Sequence, residues 1–188
     1  MEPRIILPTK YGEFEVFYFK RCGQEGAVIL SPYDGDCPFV RIHSSCLFSE
    51  SLRATNCDCS RQLESALRYI GNNGGVVFYL YQEGRGIGLE DKIKAISLEQ
   101  NEGVNTAEAF DRLGHPKDPR NYDAVISILQ ELNIKEICIG TSNPRKVDAL
   151  TDAGIFIRDR VHLMFESNEV IDEYLTNKIR YLGHHEKN

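Results

Sequence analysis

The sequence predicts an α/β (α+β) fold, in which a mixed β-sheet with flanking helices follows a β-rich N-terminal part. Two observations support this prediction. The first 45 residues contain short aromatic and apolar runs separated by turn residues, which is typical of strands. From residue 60 onward, apolar runs of strand length alternate with segments of helical apolar spacing. We expect a single domain over residues 1–188, without an internal linker.

Three strands are predicted in the N-terminal part. Residues 13–19 alternate and are rich in aromatic side chains, whereas residues 27–31 and 39–43 are short apolar runs. Turn residues separate these runs, most clearly Pro32-Tyr33-Asp34-Gly35-Asp36.

Helices and strands alternate in the rest of the chain. The predicted helices cover residues 60–72, 89–100, 107–113, 124–132 and 170–182, and the predicted strands cover residues 76–81, 136–140 and 155–159. A further helix begins at Pro144, because proline is favoured at the first helical position and Asn143 can cap it. We expect residues 182–188 to be a disordered tail.

The composition and net charge of the chain indicate which kinds of ligand it can bind. With 41% hydrophobic and 27% charged residues the chain has an ordinary globular composition. A net charge of −6 without a Lys/Arg run argues against a nucleic acid polymer, which is bound by neutralising phosphates. A small phosphorylated ligand needs only a few local cations and remains compatible with this charge.

The expected location is the cytoplasm, without a membrane span. No apolar stretch approaches the roughly 20 residues that a span needs, and the N-terminus lacks a signal-peptide core. In a reducing compartment, closely spaced cysteines are more often metal ligands or free thiols than disulfides. We interpret Cys22, Cys37 and Cys138 as free thiols.

Cys46 and the Cys57-Asp58-Cys59 segment form a candidate metal site. Three protein ligands leave one zinc position open for water, which is the catalytic rather than the structural arrangement. Thiolates favour Zn²⁺ over Mg²⁺, and an open zinc site activates water by lowering its pKa. The alternative is a set of unrelated thiols near a helix start.

The glycine-rich turn (residues 82–89) lies between a predicted strand and a predicted helix. Glycines let the backbone approach a ligand closely, and the following helix N-terminus favours an anion. The turn matches neither a Walker A loop nor a dinucleotide fingerprint. The alternative is an ordinary turn with Glu83 and Arg85 facing solvent.

Three other polar segments are candidates for ligand binding. Asp118-Pro119-Arg120 offers a base and an anion contact, or is a surface loop. Residues 141–146 suit a phosphate or a base edge, or are an ordinary helix start. Arg41 and His43 share one strand face beside the metal site, or a solvated face.

Taken together and in this order, these segments resemble GTP cyclohydrolase II, the enzyme that opens riboflavin biosynthesis. The resemblance covers residues 13–183. The motifs that carry it are Arg41-x-His43-Ser44-x-Cys46, Cys57-Asp58-Cys59, Gln82-Glu83-Gly84-Arg85-x-Ile87-Gly88-Leu89-x-x-Lys92-Ile93, Asp118-x-Arg120-x-Tyr122 and Thr141-x-Asn143-Pro144.

The resemblance implies hydrolysis of the guanine imidazole ring of GTP at C8, with loss of formate and pyrophosphate. The implied product is 2,5-diamino-6-ribosylamino-4(3H)-pyrimidinone 5′-phosphate. The resemblance also implies one Zn²⁺ per chain, Mg²⁺ with the triphosphate, and a homodimer.

The family's site residues carry over by position. Cys46, Cys57 and Cys59 match the zinc ligands. Asp118 matches a proton acceptor and Arg120 a nucleophile towards the α-phosphate, although charge stabilisation is the plainer chemistry for an arginine that stays protonated. The nucleotide-contacting positions are Arg41, Ile42, His43, Ser44, Ser45, Gln62, Glu83, Gly84, Arg85, Thr106, Thr141 and Lys146. Among them, Glu83 suits the guanine N1–H and amino edge, and Arg41, Arg85 and Lys146 suit phosphate.

Several residues depart from the family pattern. Ile96 stands where the family usually has a tyrosine, Ser45 replaces a glutamate, and Ser142 replaces an asparagine. Because an isoleucine cannot move a proton, we also consider an enzyme that opens the ring but retains the formyl group, giving a formamidopyrimidine nucleotide.

Two further alternatives remain at the level of the sequence. The chemistry could act on another purine nucleotide, with a different base or phosphate number. The chain could also be a non-catalytic nucleotide-binding module with a structural zinc. Retention of Asp118, Arg120 and the three cysteines speaks against that second alternative, because a silent module needs no open metal position.

Overall fold

The computed structural model describes residues 3–163, which form a seven-stranded mixed sheet in the order β1-β2-β3-β5-β4-β6-β7. The strands are β1 (Arg4–Thr9), β2 (Gly12–Arg21), β3 (Gln24–Ser31), β4 (Phe39–Ser44), β5 (Gly75–Leu80), β6 (Glu136–Ile139) and β7 (Phe156–Arg160). Strands β1, β2, β3 and β5 pair antiparallel in that order. Strand β4 is parallel to β5 and β6, and β6 is parallel to β7. This mixed sheet with flanking helices confirms the predicted fold class.

Six α-helices and one short 3-10 helix accompany the sheet in the described part of the chain. They are α1 (Leu47–Glu50), α2 (Cys59–Asn73), the 3-10 helix (Glu83–Gly86), α3 (Gly88–Glu102), α4 (Thr106–Arg112), α5 (Asp123–Glu131) and α6 (Pro144–Asp152). None of the helices within residues 3–163 has both the length and the apolar character that a membrane span requires.

Most predicted elements are present with small shifts of their ends. Each helix and strand predicted between residues 13 and 159 is found, with ends displaced by at most three residues. Strand β1, helix α1 and the 3-10 helix were not predicted. The helix predicted over residues 170–182 and the tail over residues 182–188 lie outside the described residues.

The sheet buries a separate apolar cluster on each face. One face packs against α2, whose fully buried Ile70 contacts the cluster of Phe14, Phe39 and Val77. The other face packs against α5 and α6 through Val125, Ile128, Leu129 and Leu150. Burying a side chain of this size contributes roughly 1.5–3 kcal/mol, so the two clusters fix the sheet between its helices.

Three neighbouring strands place the functional segments at one edge of the sheet. Strands β5, β4 and β6 are parallel neighbours, so their carboxyl ends meet at the same edge. The glycine-rich turn follows β5, Cys46 follows β4, and residues 141–146 follow β6. In α/β sheets this edge is the usual place for a ligand.

Candidate metal and nucleotide site

Cys46, Cys57 and Cys59 converge just beyond the end of β4. Cys46 precedes α1, Cys57 lies in the loop between α1 and α2, and Cys59 is the first residue of α2. The three sulfur atoms lie within 4.8 Å of one another, and the Cys46 and Cys57 Sγ atoms are 3.9 Å apart. Hydrogen bonds from the Cys46 and Cys59 thiols lower the pKa of Cys57 to about 2.

This geometry fits a zinc ion. Zinc–sulfur bonds of about 2.3 Å at tetrahedral angles place two thiolate sulfurs about 3.8 Å apart. The Cys46–Cys57 separation of 3.9 Å is close to that value. Three thiolates also suit zinc better than magnesium, and a set of three leaves a fourth position for water or substrate.

A buried hydrogen-bond chain holds the Cys57–Cys59 turn against the sheet. The carboxylate of Asp58, which is fully buried, accepts a hydrogen bond from Gln62 on α2. The Gln62 side-chain oxygen in turn accepts a hydrogen bond from Arg41 Nη2. Arg41 Nη1 donates to the Gly140 carbonyl at 2.6 Å, and burial lowers the pKa of this guanidinium. Arg41 and Gln62 therefore connect the Cys57–Cys59 turn to the sheet.

Glu50 fixes the backbone at Cys46. Its carboxylate accepts the Tyr79 hydroxyl at 2.5 Å and the Cys46 backbone N–H at 3.0 Å, and contacts His43 Nε2 at 2.9 Å. His43 and Tyr79 are register partners on β4 and β5, and their rings stack with centroids 5.7 Å apart. Burial lowers the pKa of His43, which favours the neutral ring, and His43 Nδ1 is buried without a partner.

Lys92 on α3 joins the glycine-rich turn to the cysteine cluster. Its Nζ lies 2.5 Å from Glu83 Oε1 and 3.3 Å from Cys46 Sγ. The other Glu83 oxygen accepts the Leu47 backbone N–H at 2.7 Å. Burial alone would lower the pKa of Lys92, but the hydrogen bond to Glu83 and the charge of Cys46 raise it overall. Lys92 is therefore an ammonium ion at neutral pH.

The glycine-rich turn has an unusual backbone. Gly84 and Arg85 both adopt left-handed conformations, with φ values of 61° and 60°. For Arg85 this conformation costs roughly 1–3 kcal/mol, a strain that clusters at functional sites. The Arg85 guanidinium carbon lies 5.4 Å from the centroid of the Phe110 ring. A Cβ atom at Gly84 would approach Lys92 Cβ to 2.9 Å, so glycine lets the turn pack on α3.

Asp118 and Arg120 form a bidentate ion pair beside the glycine-rich turn. Arg120 Nε and Nη2 donate to the Asp118 carboxylate at 2.8 and 2.7 Å, and Arg120 Nη1 lies 3.4 Å from Ser44 Oγ. Arg145 donates to the Asp118 carbonyl at 2.6 Å. Burial would raise the pKa of Asp118, but hydrogen bonds and the charge of Arg120 lower it overall. A Cβ at Gly86 would lie 3.6 Å from Arg120 Cγ, so the turn packs on this loop.

Lys146 on α6 is directed towards β4. Its buried Nζ donates to the Ile42 carbonyl at 2.8 Å and lies 5.9 Å from the centroid of the Tyr122 ring. Thr141 Oγ1 accepts the Asn143 backbone N–H at 3.1 Å. The Asn143 side chain caps α6, as predicted.

The remaining predicted site residues lie at the ends of the same elements. Ser44 Oγ is 3.4 Å from the side-chain oxygen of Gln82, and the Ser45 backbone N–H donates to the Leu80 carbonyl at 2.8 Å. Thr106 is the first residue of α4, which packs on α3. Ile96 is half-buried on α3, one helical turn after Lys92 and on the same face.

Four further residues contact this site, although no role was predicted for them. They are Glu50, Tyr79, Lys92 and Arg145. A usable signal existed for Glu50, because it follows Cys46 by four residues, the spacing of one helical turn. The hydrogen bond from the Tyr79 hydroxyl to Glu50 depends on the pairing of β4 with β5, which the local sequence does not encode.

The chain is similar to known proteins of one family. A family model described as GTP cyclohydrolase II matches residues 2–162. A GTP cyclohydrolase-2 of Shewanella sediminis is 42% identical over 183 residues, covering 95% of this chain and 89% of that protein. The riboflavin biosynthesis protein RibBA of Synechocystis is 41% identical over 185 residues, covering 95% of this chain. The chain spans 33% of the length of that longer protein.

Proposed function

The chain belongs to the GTP cyclohydrolase II family, and we propose that it hydrolyses the guanine imidazole ring of GTP with release of formate and pyrophosphate. It is then a hydrolase of riboflavin biosynthesis, and its product is 2,5-diamino-6-ribosylamino-4(3H)-pyrimidinone 5′-phosphate. The observation that carries this proposal is the set of three thiols within 4.8 Å of one another, in a chain that matches this family over residues 2–162.

Cys46, Cys57 and Cys59 would hold the zinc ion. Zinc supplies a Lewis acid in such a site and lowers the pKa of a water molecule to near neutrality. The protein contributes by holding the three sulfurs in place, through Asp58 for the Cys57–Cys59 turn and through Glu50 for the Cys46 backbone.

Glu83 is the candidate for recognition of the guanine base. One of its oxygens contacts Lys92 and the other accepts the Leu47 N–H. The Gly84 backbone N–H also donates to Oε1, at 3.3 Å. A carboxylate has about four lone-pair sites, so one remains free, and the two guanine donors, N1–H and the amino group, would use it and replace the long Gly84 bond. Lys92 Nζ lies 2.5 Å from Glu83 Oε1 and 3.3 Å from Cys46 Sγ, and these contacts support base recognition close to the cysteine cluster.

The Asp118–Arg120 pair is the candidate for the phosphate end. Asp118 holds the Arg120 guanidinium in a fixed orientation, so the remaining Nη1 is oriented towards Ser44. We propose that Arg120 stabilises negative charge at the α-phosphate and that ionised Asp118 accepts a proton. Arg85 and Arg145 supply further cations near the triphosphate, whose Mg²⁺ is part of this proposal.

Two buried cations, Arg41 and Lys146, contribute to ligand binding through the positive electrostatic potential that they create at the site. Arg41 and Lys146 are both less than a tenth exposed and donate to carbonyl groups of the sheet edge. Their charges are poorly screened in this environment and favour binding of an anionic ligand nearby.

We also propose that the protein forms a homodimer and acts in the cytoplasm.

Retention of the formyl group is the second candidate outcome. The observation that favours it is Ile96, which lies on the same face of α3 as Lys92 and offers no proton-transfer group. If the enzyme stops after ring opening, Ile96→Tyr should raise the ratio of formate to pyrophosphate. Ile93→Tyr is the matched control, because Ile93 is on the same helix and 50% exposed.

Turnover of GTP by the zinc-loaded protein tests the proposed function. Wild type and the control Cys22→Ser should release pyrophosphate, because Cys22 is exposed and distant in sequence from the cluster. Cys57→Ser should lose activity together with stoichiometric zinc. Equal turnover by Cys57→Ser and Cys22→Ser would contradict the assignment of the three thiols.

A further inference from the structure

We propose that Lys92 is a positioning residue that tunes the metal site, because its ammonium group donates a hydrogen bond to the Cys46 thiolate. This inference rests on the proposed zinc-dependent function. The Lys92 Nζ lies 3.3 Å from Cys46 Sγ and 2.5 Å from Glu83 Oε1. Both ion-pair side chains are largely buried, with exposed fractions of 17% for Lys92 and 16% for Glu83.

The contact between Lys92 and Cys46 balances the charge of the proposed zinc site. Three thiolates around a divalent zinc ion carry one net negative charge, and their electron donation weakens the metal as a Lewis acid. An N–H donor at one sulfur withdraws electron density, and the positive charge of Lys92 offsets the excess negative charge. Groups that bond metal ligands in this way are known to tune both affinity and reactivity.

The protein holds the ammonium group from three sides. Glu83 provides the ion pair, Cys46 provides the sulfur acceptor, and the Phe48 ring lies with its centroid 4.5 Å from Nζ. Cys46 is the N-cap residue of α1 and Phe48 lies within α1, so the ammonium group contacts the start of this helix at two points. The glycine at position 84 allows this approach, because a Cβ atom there would lie 2.9 Å from Lys92 Cβ.

Lys94 provides a contrast on the same helix. Its Nζ lies 2.8 Å from both Glu90 and Asp91, and its side chain is 51% exposed. Surface pairs of this kind contribute little to stability, so Lys94→Met removes one positive charge from α3 without touching the cysteine cluster. The pair of variants therefore separates the specific contact of Lys92 from the general charge of the helix.

The test uses the full chain loaded with Zn²⁺ or Co²⁺. Lys92→Met should weaken zinc binding by about 10- to 100-fold in competition with a chromophoric chelator, the usual effect of losing a partner of a metal ligand. In the cobalt form, the thiolate-to-metal charge-transfer band should move to longer wavelength, because the Cys46 lone pairs lose a stabilising donor. Lys92→Arg keeps a charged N–H donor and should recover most of both properties.

The outcomes separate this inference from the proposed function. Wild-type affinity and an unshifted band in Lys92→Met would overturn the role of Lys92 while leaving the zinc site intact. Equal changes in Lys92→Met and Lys94→Met would also overturn it, because a general charge effect would then explain the result. If the wild-type protein shows no thiolate-to-cobalt band at all, the zinc site fails and this inference fails with it. Far-UV circular dichroism of each variant establishes that the fold is retained.

Discussion

Truncation of Glu50, the charged residue of α1, should destabilise the protein. The side chain is 11% exposed, and its carboxylate bonds three groups from three places in the chain. Glu50→Ala leaves the Tyr79 hydroxyl, His43 Nε2 and the Cys46 N–H without this partner. The loop that carries Cys46 then loses its main attachment to β4 and β5.

The expected magnitude follows from these three groups. Each buried polar group that loses its partner costs about 1–3 kcal/mol, and water entering the space left by the carboxylate favours the lower value. The sum is about 3 kcal/mol of unfolding free energy. For a chain of this size, a change of 1 kcal/mol moves Tm by roughly 2–4 °C, so the Tm of Glu50→Ala should fall by about 6–12 °C.

Urea unfolding of the metal-free protein in reductant and chelator measures this effect, since zinc binding then makes no contribution to stability. Tyr79→Phe removes only one of the three hydrogen bonds and should cost about 1–2 kcal/mol. Glu90→Ala is the control, because Glu90 is 84% exposed and pairs with Lys94 at the helix surface. If Glu50→Ala and Glu90→Ala had equal unfolding midpoints, the role given to Glu50 would be refuted.

Three further predictions concern the titratable and metal-binding groups. The pKa of Asp118 is lowered, because Arg120 outweighs burial, so the ion pair stabilises the fold fully above the usual aspartate pKa of about 3.9. This contribution disappears as pH falls through the lower folded pKa, and the urea midpoints of wild type and Asp118→Asn should therefore converge in acid. Burial and a hydrogen bond with Cys138 raise the pKa of Cys37 to about 12, so peptide mass spectrometry should show slower alkylation of Cys37 than of exposed Cys22 at mildly alkaline pH. Chelation of zinc should abolish GTP turnover, and Zn²⁺ but not Mg²⁺ should restore it.

The sequence was sufficient to predict those elements in which the local residue pattern agrees with the packing of the fold. The apolar run that became β5 and the helical spacing of Ala66 and Ile70 in α2 both match buried positions of the sheet and its cover. The Asn143-Pro144 pair located the start of α6, because capping and proline geometry are local effects. The spacing of the cysteines likewise indicated a shared metal site before their positions were known.

The sequence was insufficient where an element depends on distant contacts. Strand β1 is largely exposed on both faces at the edge of the sheet, so it lacks the alternation that reveals half-buried strands. Helix α1 has only four residues, and Glu50 within it is fixed by β4 and β5 rather than by helical neighbours. The direction of Lys146 towards the Ile42 carbonyl depends on how α6 packs on the sheet.

The most direct test of the zinc-dependent ring opening follows the C8 carbon of the substrate. GTP labelled with ¹³C at C8 is incubated with the zinc-loaded protein and Mg²⁺, and the label is followed by ¹³C NMR. We predict that the label leaves the purine ring and accumulates as formate, whereas a formamide signal would show that hydrolysis stops after ring opening. Label that remains in intact GTP, with zinc bound to the three cysteines, would contradict zinc-dependent ring opening by this protein.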